Sequence, residues 1–376
     1  MLAPNLASAP KRVLMTTDAA GGVWRYSLEL ARGLTGAGCE VVLAIMGPPA
    51  TPEQLGEAAT IGGVFIVEGS FDLEWMPGAD DDVRRAGAWL MELEAAYAPD
   101  IIHLNGYAHA ALPWQAPVIV VAHSCVLSWW RAVHGEDAPA EWDGYRRRTA
   151  AGLRAADLVV APTRAFLRTV EALYGPGLRT RMIWNGRDRP NIEAIERQPM
   201  VLAAGRIWDE AKNLKVLASV AKDLRWPVCI AGPGVPGRGD CAASARNVRW
   251  LGPLAPAALN VWFAQAAIFV APSRYEPFGL AALEAALAGC ALVLGDVPTL
   301  RELWTGAAMF VPPDDRAQLA YVLGSLIEDD DLRTSLGRLA KERAATFSAA
   351  RTTAAYRNAY AEVIASRSGA IRTLAH

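Results

Sequence analysis

The sequence predicts an α/β protein of two domains, each a parallel sheet with helices packed on it. Three observations carry that expectation. At 376 residues the chain is too long for one ordinary domain and fits two of roughly 150–200 residues. Short apolar runs alternate with helix-like segments along its length, the order of βαβ units. Glycine-bearing turns follow several of those runs, at the strand ends where open α/β sheets bind ligands.

Composition narrows the function classes. The chain is 52% hydrophobic and 20% charged, so core-forming residues are ample and disorder is not expected. A net charge of −2 excludes a globally basic nucleic-acid binder. Cys39, Cys125, Cys229, Cys241 and Cys290 are scattered, an odd count without metal spacing, and read as reduced thiols of a cytosolic protein. Met1–Asn5 lacks the cationic start and apolar run of a secretory signal, and no stretch approaches the ~20 apolar residues that span a bilayer. The expected location is cytoplasmic, with peripheral contact at the inner face of the membrane as the variant.

Arg12–Thr16 reads as the first strand, followed by a turn with Gly21-Gly22, a helix through about Gly33, and a second strand over Val41–Ile45. Only the glycine pair is present, so the Gly-x-Gly-x-x-Gly fingerprint of a nicotinamide dehydrogenase is missing. Further strands are expected at Gly63–Val67, Ile101–Leu104 and Val118–Ala122, with a helix over Asp82–Tyr97. Asp80-Asp81-Asp82 and Asp329-Asp330-Asp331 read as helix N-termini, where capping and dipole favour Asp, so no metal is expected. His103 ends one strand and His123 follows the next, strand-end positions that face a crevice.

Residues 124–145 read as irregular, with Trp129, Trp130, His134, Glu136, Asp137, Trp142 and Tyr145. They form either an exposed carbohydrate platform, rings on sugar C–H groups and carboxylates on hydroxyls, or a loop pinned to the core by its own aromatics. Arg146-Arg147-Arg148 opens a helix to Ala155. It reads as a solvated face, with an anionic acceptor or membrane surface as the alternative. Leu158–Thr163 is another strand and Arg164–Tyr174 a helix.

The second domain opens with the strand Met200–Ala204, then Gly205-Arg206, Lys212 and a helix over Asn213–Leu224. Cations repel a helix N-terminus, so Arg206 and Lys212 placed there call for an anion. Strands follow at Val228–Ala231 and Val248–Gly252. The strand Ala267–Ala271 then leads through Glu276-Pro277-Phe278-Gly279 into an Ala- and Leu-rich helix from Leu280 to a glycine cap at Gly289. Such a turn aims free N–H groups at an anion. Glu276 and Glu284 flank it, and since carboxylates do not bind phosphate their partners are hydroxyls. A sugar nucleotide offers both. After Ala291–Leu294 and the loop Asp296–Leu303 the tail is helical over Asp315–Glu328, Asp331–Thr346 and Arg351–Ser366.

Pro272-Ser273, Glu276-Pro277-Phe278-Gly279 and Glu284 resemble the donor signature of retaining glycosyltransferases of the GT-B fold, most closely family 4, and the likeness covers nearly the whole chain. It implies two Rossmann-like domains facing across a cleft, with the C-terminal helix crossing back to the first: residues 1–188 plus about 352–376 on the acceptor side, and 189–351 on the donor side. The Asn185-Gly186 pair resembles the close of the first domain, which makes 187–199 the linker. Arg206 and Lys212 resemble the diphosphate clamp, beside Gly205. The resemblance gives Glu276 the sugar hydroxyls, Glu284 the ribose hydroxyls, and the backbone around Phe278, Gly279 and Leu280 the phosphates. It puts His123 near the donor sugar, where a histidine bonded to a backbone carbonyl is the alternative. Gly21-Gly22 would approach the donor phosphates and the acceptor, or form an ordinary βα turn. Trp129, Trp130 and His103 fall in the acceptor region.

The reaction expected is transfer of a sugar, with retention, from a nucleoside-diphosphate sugar to a hydroxyl of a carbohydrate, lipid-linked or small-molecule acceptor. No cofactor is expected. A phosphorylase, a non-hydrolysing epimerase and a non-catalytic nucleotide-sugar or glycan-binding protein are the rivals.

Overall fold

The computed structural model describes residues 9–189, 195–234 and 245–374. The readings of Met1–Asn5, of Cys241 and of the middle of the 187–199 segment fall outside the described residues. Compactness divides the chain into two units, residues 1–128, 137–186 and 349–376, and residues 129–136 and 187–348.

The first unit is built on β1 (Arg12–Asp18), α1 (Gly22–Gly36), β2 (Glu40–Met46), α2 (Pro52–Ala59), β3 (Val64–Glu68), α3 (Asp80–Tyr97), β4 (Ile101–Leu104) and β5 (Val118–Val121). The chain continues through α4 (Val126–His134), α5 (Asp143–Ala155), β6 (Leu158–Ala161), α6 (Arg164–Tyr174) and β7 (Thr180–Met182). The described strands form a parallel sheet in the order β3-β2-β1-β4-β5-β6-β7. Helices cover both faces, so β4, β5 and β6 are buried at every residue, the reason their sequences are apolar runs rather than alternations.

The second unit contains β8 (Gln198–Ala204), α7 (Leu214–Val220), β9 (Val228–Ala231), β10 (Val248–Gly252), α8 (Pro256–Gln265), β11 (Ala266–Ala271) and α9 (Leu280–Ala288). After these come β12 (Ala291–Gly295), α10 (Pro298–Trp304), β13 (Met309–Val311), α11 (Arg316–Glu328) and α12 (Asp330–Ala344). Its sheet is also parallel, in the order β10-β9-β8-β11-β12-β13. The last helix, α13 (Ala349–Leu374), returns to the first unit. There its Tyr356, Tyr360 and Val363 share a core with Leu28, Leu30 and Leu34 of α1. Gly33 lets the two helices approach, since a Cβ at that position would overlap Thr353.

Strand order reverses between β1 and β4 in one unit and between β8 and β11 in the other. At such a reversal the connections leave in opposite directions and open a crevice at the carboxyl strand ends.

Several elements differ from expectation. Residues 124–145 are not irregular: α4 and the start of α5 occupy most of that span. The helix expected over Asn213–Leu224 is broken. A 3₁₀ turn over Glu210–Lys212 precedes it, Asn213 is left-handed at φ 55, and α7 is regular only to Val220. Three further helices, α2, α8 and α10, were not foreseen, the last standing where a loop over Asp296–Leu303 was expected, although each opens with proline in its first turn.

Asn213 accepts that backbone strain because its side chain ties two other segments. Nδ2 donates to the carbonyls of Pro272 at 3.1 Å and Pro313 at 2.6 Å, and the residue is buried. Asn213→Ala orphans both carbonyls and puts a Cβ without hydrogen bonds in the left-handed region. Its expected cost is about 2–4 kcal/mol, read from the urea midpoint followed by tryptophan fluorescence. A shift worth less than about 0.5 kcal/mol would show that the tie is not stabilising.

Candidate functional site

In the second unit the candidate residues gather at the β8/β11 reversal. Gly205 ends β8 against Gly232, where a Cβ would overlap the Gly205 carbonyl, so the two strand ends meet backbone to backbone. Lys212 Nζ lies 2.6 Å from Glu276 Oε2, both side chains only partly accessible. The Glu276 carbonyl accepts from Thr299 Oγ1 at 2.6 Å, which fixes the loop from behind. Gly279, at φ 87, turns that loop into α9, a conformation glycine adopts without strain. The N-terminus of α9 carries no side-chain cap and no acid in its first turn, so no side chain offsets the positive end of its dipole there. Phe278 is buried edge-on against Phe347, with ring centroids 5.9 Å apart, so it anchors the turn.

Arg206 Nη2 bonds Asp209 Oδ2 at 2.7 Å, and its guanidinium lies 5.3 Å from the Trp208 ring. Asp209 is the residue that sequence reasoning missed. It is buried, accepts from Ala211 N at 3.0 Å and from Trp129 Nε1 at 3.2 Å, and so joins the arginine to the turn before Lys212. Burial alone would raise its pKa. The charge and hydrogen bond of Arg206, the Lys212 charge and the Trp129 N–H outweigh that and hold the carboxyl below the ordinary 3.8. Glu284 is buried one turn into α9, where Arg187 reaches its Oε1 with Nη2 at 2.8 Å and Nε at 3.2 Å. Arg187 was expected only to begin the linker.

The first unit holds the other candidates at the β1/β4 reversal. Gly21 and Gly22 are exposed at the start of α1, and Gly21, at φ 156 and ψ −133, adopts a conformation open essentially to glycine alone. His123 is half-buried after β5. Its Nε2 lies 2.8 Å from Asn105 Oδ1, not on a backbone carbonyl, and its ring meets Tyr26 edge-on at 4.5 Å. Burial pushes its pKa down to about 3, so it is neutral at physiological pH.

Two expectations fail here. His103 does not line an accessible surface: it is 0% exposed, with Nδ1 at 2.7 Å from the Tyr360 hydroxyl. β4 is buried on both faces, so its histidine points into the core. Trp129 and Trp130 do not form an exposed platform either. Both are half-buried on α4 and cluster with His134, at ring distances of 5.5 and 4.5 Å. The exposed tryptophans are Trp75 and Trp208, the latter 61% exposed.

The depressed Asp209 pKa fixes a sign. A carboxyl held low in the folded state contributes stability above its unfolded value and loses it as pH falls. The stability gap between wild type and Asp209→Asn, on the order of 1–3 kcal/mol, should stay level from pH 7 to about pH 5 and shrink below 3.8. Equilibrium denaturation across pH measures it, and a gap that widens in acid would contradict the pairing.

Comparison with known proteins bears on the family and the fold. Residues 20–189 match the description Glycosyltransferase Family 4, and residues 198–329 match Glycosyl transferases group 1. A glycogen synthase of Mycobacterium tuberculosis is 26% identical over 369 residues, spanning 86% of each chain. A phosphatidyl-myo-inositol mannosyltransferase of Mycolicibacterium smegmatis is 26% identical over 358 residues, spanning 87% of this chain and 86% of that one. The solved sucrose-phosphate synthase of Thermosynechococcus elongatus superposes with a TM-score of 0.77 at 19% identity, over 95% of this chain and all of that one. Carrying one matched domain on each of its two parallel-sheet units, the chain belongs to the family 4 glycosyltransferases of the GT-B fold.

Proposed function

We propose that this glycosyltransferase takes its sugar from a nucleoside-diphosphate sugar and transfers it with retention to a hydroxyl acceptor. The observation that carries the reading is the uncapped, acid-free start of α9 beside the Lys212–Glu276 pair. Helix N–H groups and two cations suit a diphosphate, while Glu276 and Glu284 suit hydroxyls. The charge on a departing nucleoside diphosphate grows as the glycosidic bond breaks. Arg206 and Lys212 would therefore hold it more tightly in the transition state than in the ground state.

Neither glutamate is assigned as a nucleophile. In this reading Glu276 exchanges its bond with Lys212 for sugar hydroxyls, Glu284 holds the ribose, and the acceptor enters on the face the diphosphate leaves. His123 and the Gly21-Gly22 turn take the roles the family resemblance gives them, on that resemblance alone. The names of the relatives, a glycogen synthase and a phosphatidylinositol mannosyltransferase, support a sugar or sugar-like hydroxyl as acceptor. Arg206, Lys212 and the helix dipole supply positive charge at the diphosphate, and we propose that no divalent ion is needed.

Melting temperature with UDP, GDP or ADP in EDTA tests the donor site. A nucleotide at 100 times its Kd stabilises by about 2.7 kcal/mol, or several degrees in units of this size. One nucleotide should give the shift, and Glu284→Gln should remove it. No shift with any of the three would sink the donor assignment. Arg206→Ala should lower the transfer rate about 10²-fold, and proton NMR of the product should show the donor's anomeric configuration. Near-normal turnover would release Arg206 from its role, and an inverted product would end the retaining assignment.

A further inference from the structure

The first unit contains a partly buried set of hydrogen bonds whose directions follow from the one partner that can only accept. It starts at Asn105, just past β4. Asn105 Nδ2 lies 2.7 Å from the Thr16 carbonyl and 3.1 Å from Ser27 Oγ. A carbonyl only accepts, so the amide NH₂ must face Thr16, and Oδ1 must face the other way. The backbone agrees: Asn105 N donates to Thr16 Oγ1 at 3.0 Å, pinning the residue from a second side. Oδ1 then meets two ring nitrogens, His123 Nε2 at 2.8 Å and His103 Nε2 at 3.3 Å.

An amide oxygen has no proton to give, so both ring nitrogens facing it are donors. A neutral imidazole has one N–H, and the opposite nitrogen must then accept. For His103 this can be checked. Its Nδ1 lies 2.7 Å from the Tyr360 hydroxyl of α13, which has a proton to donate. The shared contact of His103 Nε2 with the Tyr26 hydroxyl at 3.3 Å is compatible. Every partner in the set has one consistent role.

We propose that Asn105 is a positioning residue that locks His123 as its Nε2–H tautomer, leaving Nδ1 as a pure acceptor for a substrate hydroxyl. The inference rests on the reading that His123 serves the transfer reaction. His123 is then suited to receiving a hydrogen bond from a sugar O–H, and unsuited to donating one to a phosphate oxygen or protonating a leaving group. The titratable groups packed around it are Tyr26 from α1 and His103 from β4, with Tyr356 and Tyr360 of α13 behind His103. Burial holds the tyrosines above their ordinary range and His103 down to about 3, so these neighbours add no charge near neutrality.

The tautomer is observable directly in the full chain labelled with ¹⁵N-histidine. With five histidines the spectrum is sparse, and His123→Ala assigns the resonances of His123. Between pH 6 and pH 8 the expected signature is an unprotonated Nδ1 and a protonated Nε2. A protonated Nδ1, or a mixture of tautomers, overturns the proposal whatever the variants do. Asn105→Asp supplies the second readout. Its carboxylate still accepts from Nε2–H, but stabilises the imidazolium, so His123 should titrate at higher pH than in wild type. Below that pH, Nδ1 gains a proton and stops accepting, and kcat/KM should fall about tenfold, recovering as pH rises.

A loss in Asn105→Asp that is constant across pH would mark a merely structural residue and overturn the positioning role. Where that variant does not fold, the wild-type tautomer alone decides. If His123→Ala turns over normally while the tautomer is as expected, the assignment of His123 to the reaction has failed. The positioning role falls with it, although the hydrogen-bond directions stand.

Discussion

Both units depend on one constraint: a parallel sheet covered by helices on both faces has room for a polar side chain only where that side chain finds a hydrogen-bond partner, as His103 does in Tyr360. In β4, β5 and β6 every residue is buried, and in β8 and β11 the interiors are wholly apolar. Recognition is left to the strand ends, and strand-order reversal decides which ends open. Each candidate group follows from that placement. Arg206 leaves β8, Glu276 leaves β11, Asn105 leaves β4 and Gly21 leaves β1.

Three cations of the second unit's candidate site are each matched by a carboxylate. Lys212 is held by Glu276, Arg206 by Asp209 and Arg187 by Glu284. Buried or half-buried ion pairs return little net stability once desolvation is counted, but they hold side chains in one geometry. Asp209 is the clearest instance. It accepts from the arginine, from the turn before the lysine and from an indole, so one carboxylate orients much of the cationic side of the site.

What the sequence disclosed tracks how local each feature is. The strands were legible because double-sided burial makes them continuous apolar runs. The loop from Pro272 to Gly289 was legible because strand, turn, uncapped helix and glycine cap follow one another directly. His103 was misread because its position at a strand end suggested a crevice. Its true environment comes from Tyr360, 257 residues away. Arg187 meets Glu284 across 97 positions, a pairing with no local signal. The tryptophans of α4 were misread for a different reason. A nine-residue helix between irregular stretches has too few turns to show its period, so its aromatics resembled a loop. Pro52, Pro256 and Pro298, by contrast, were signals that went unread.

The first unit closes its core with a segment that lies after the whole of the second. Leu28, Leu30 and Leu34 on α1 pack with Tyr356 and Tyr360 on α13, and the chain between them includes every strand of the other sheet. On the ribosome, the portion translated first therefore waits longest for its last partner. Until α13 emerges, an apolar stripe of α1 and the Tyr26–His103 pair stand uncovered, while the second unit, continuous from β8 to α12, already has all its strands. Order of synthesis and order of completion are thus reversed. The unit begun first is finished last, and an incomplete chain exposes the surface around its own candidate histidine.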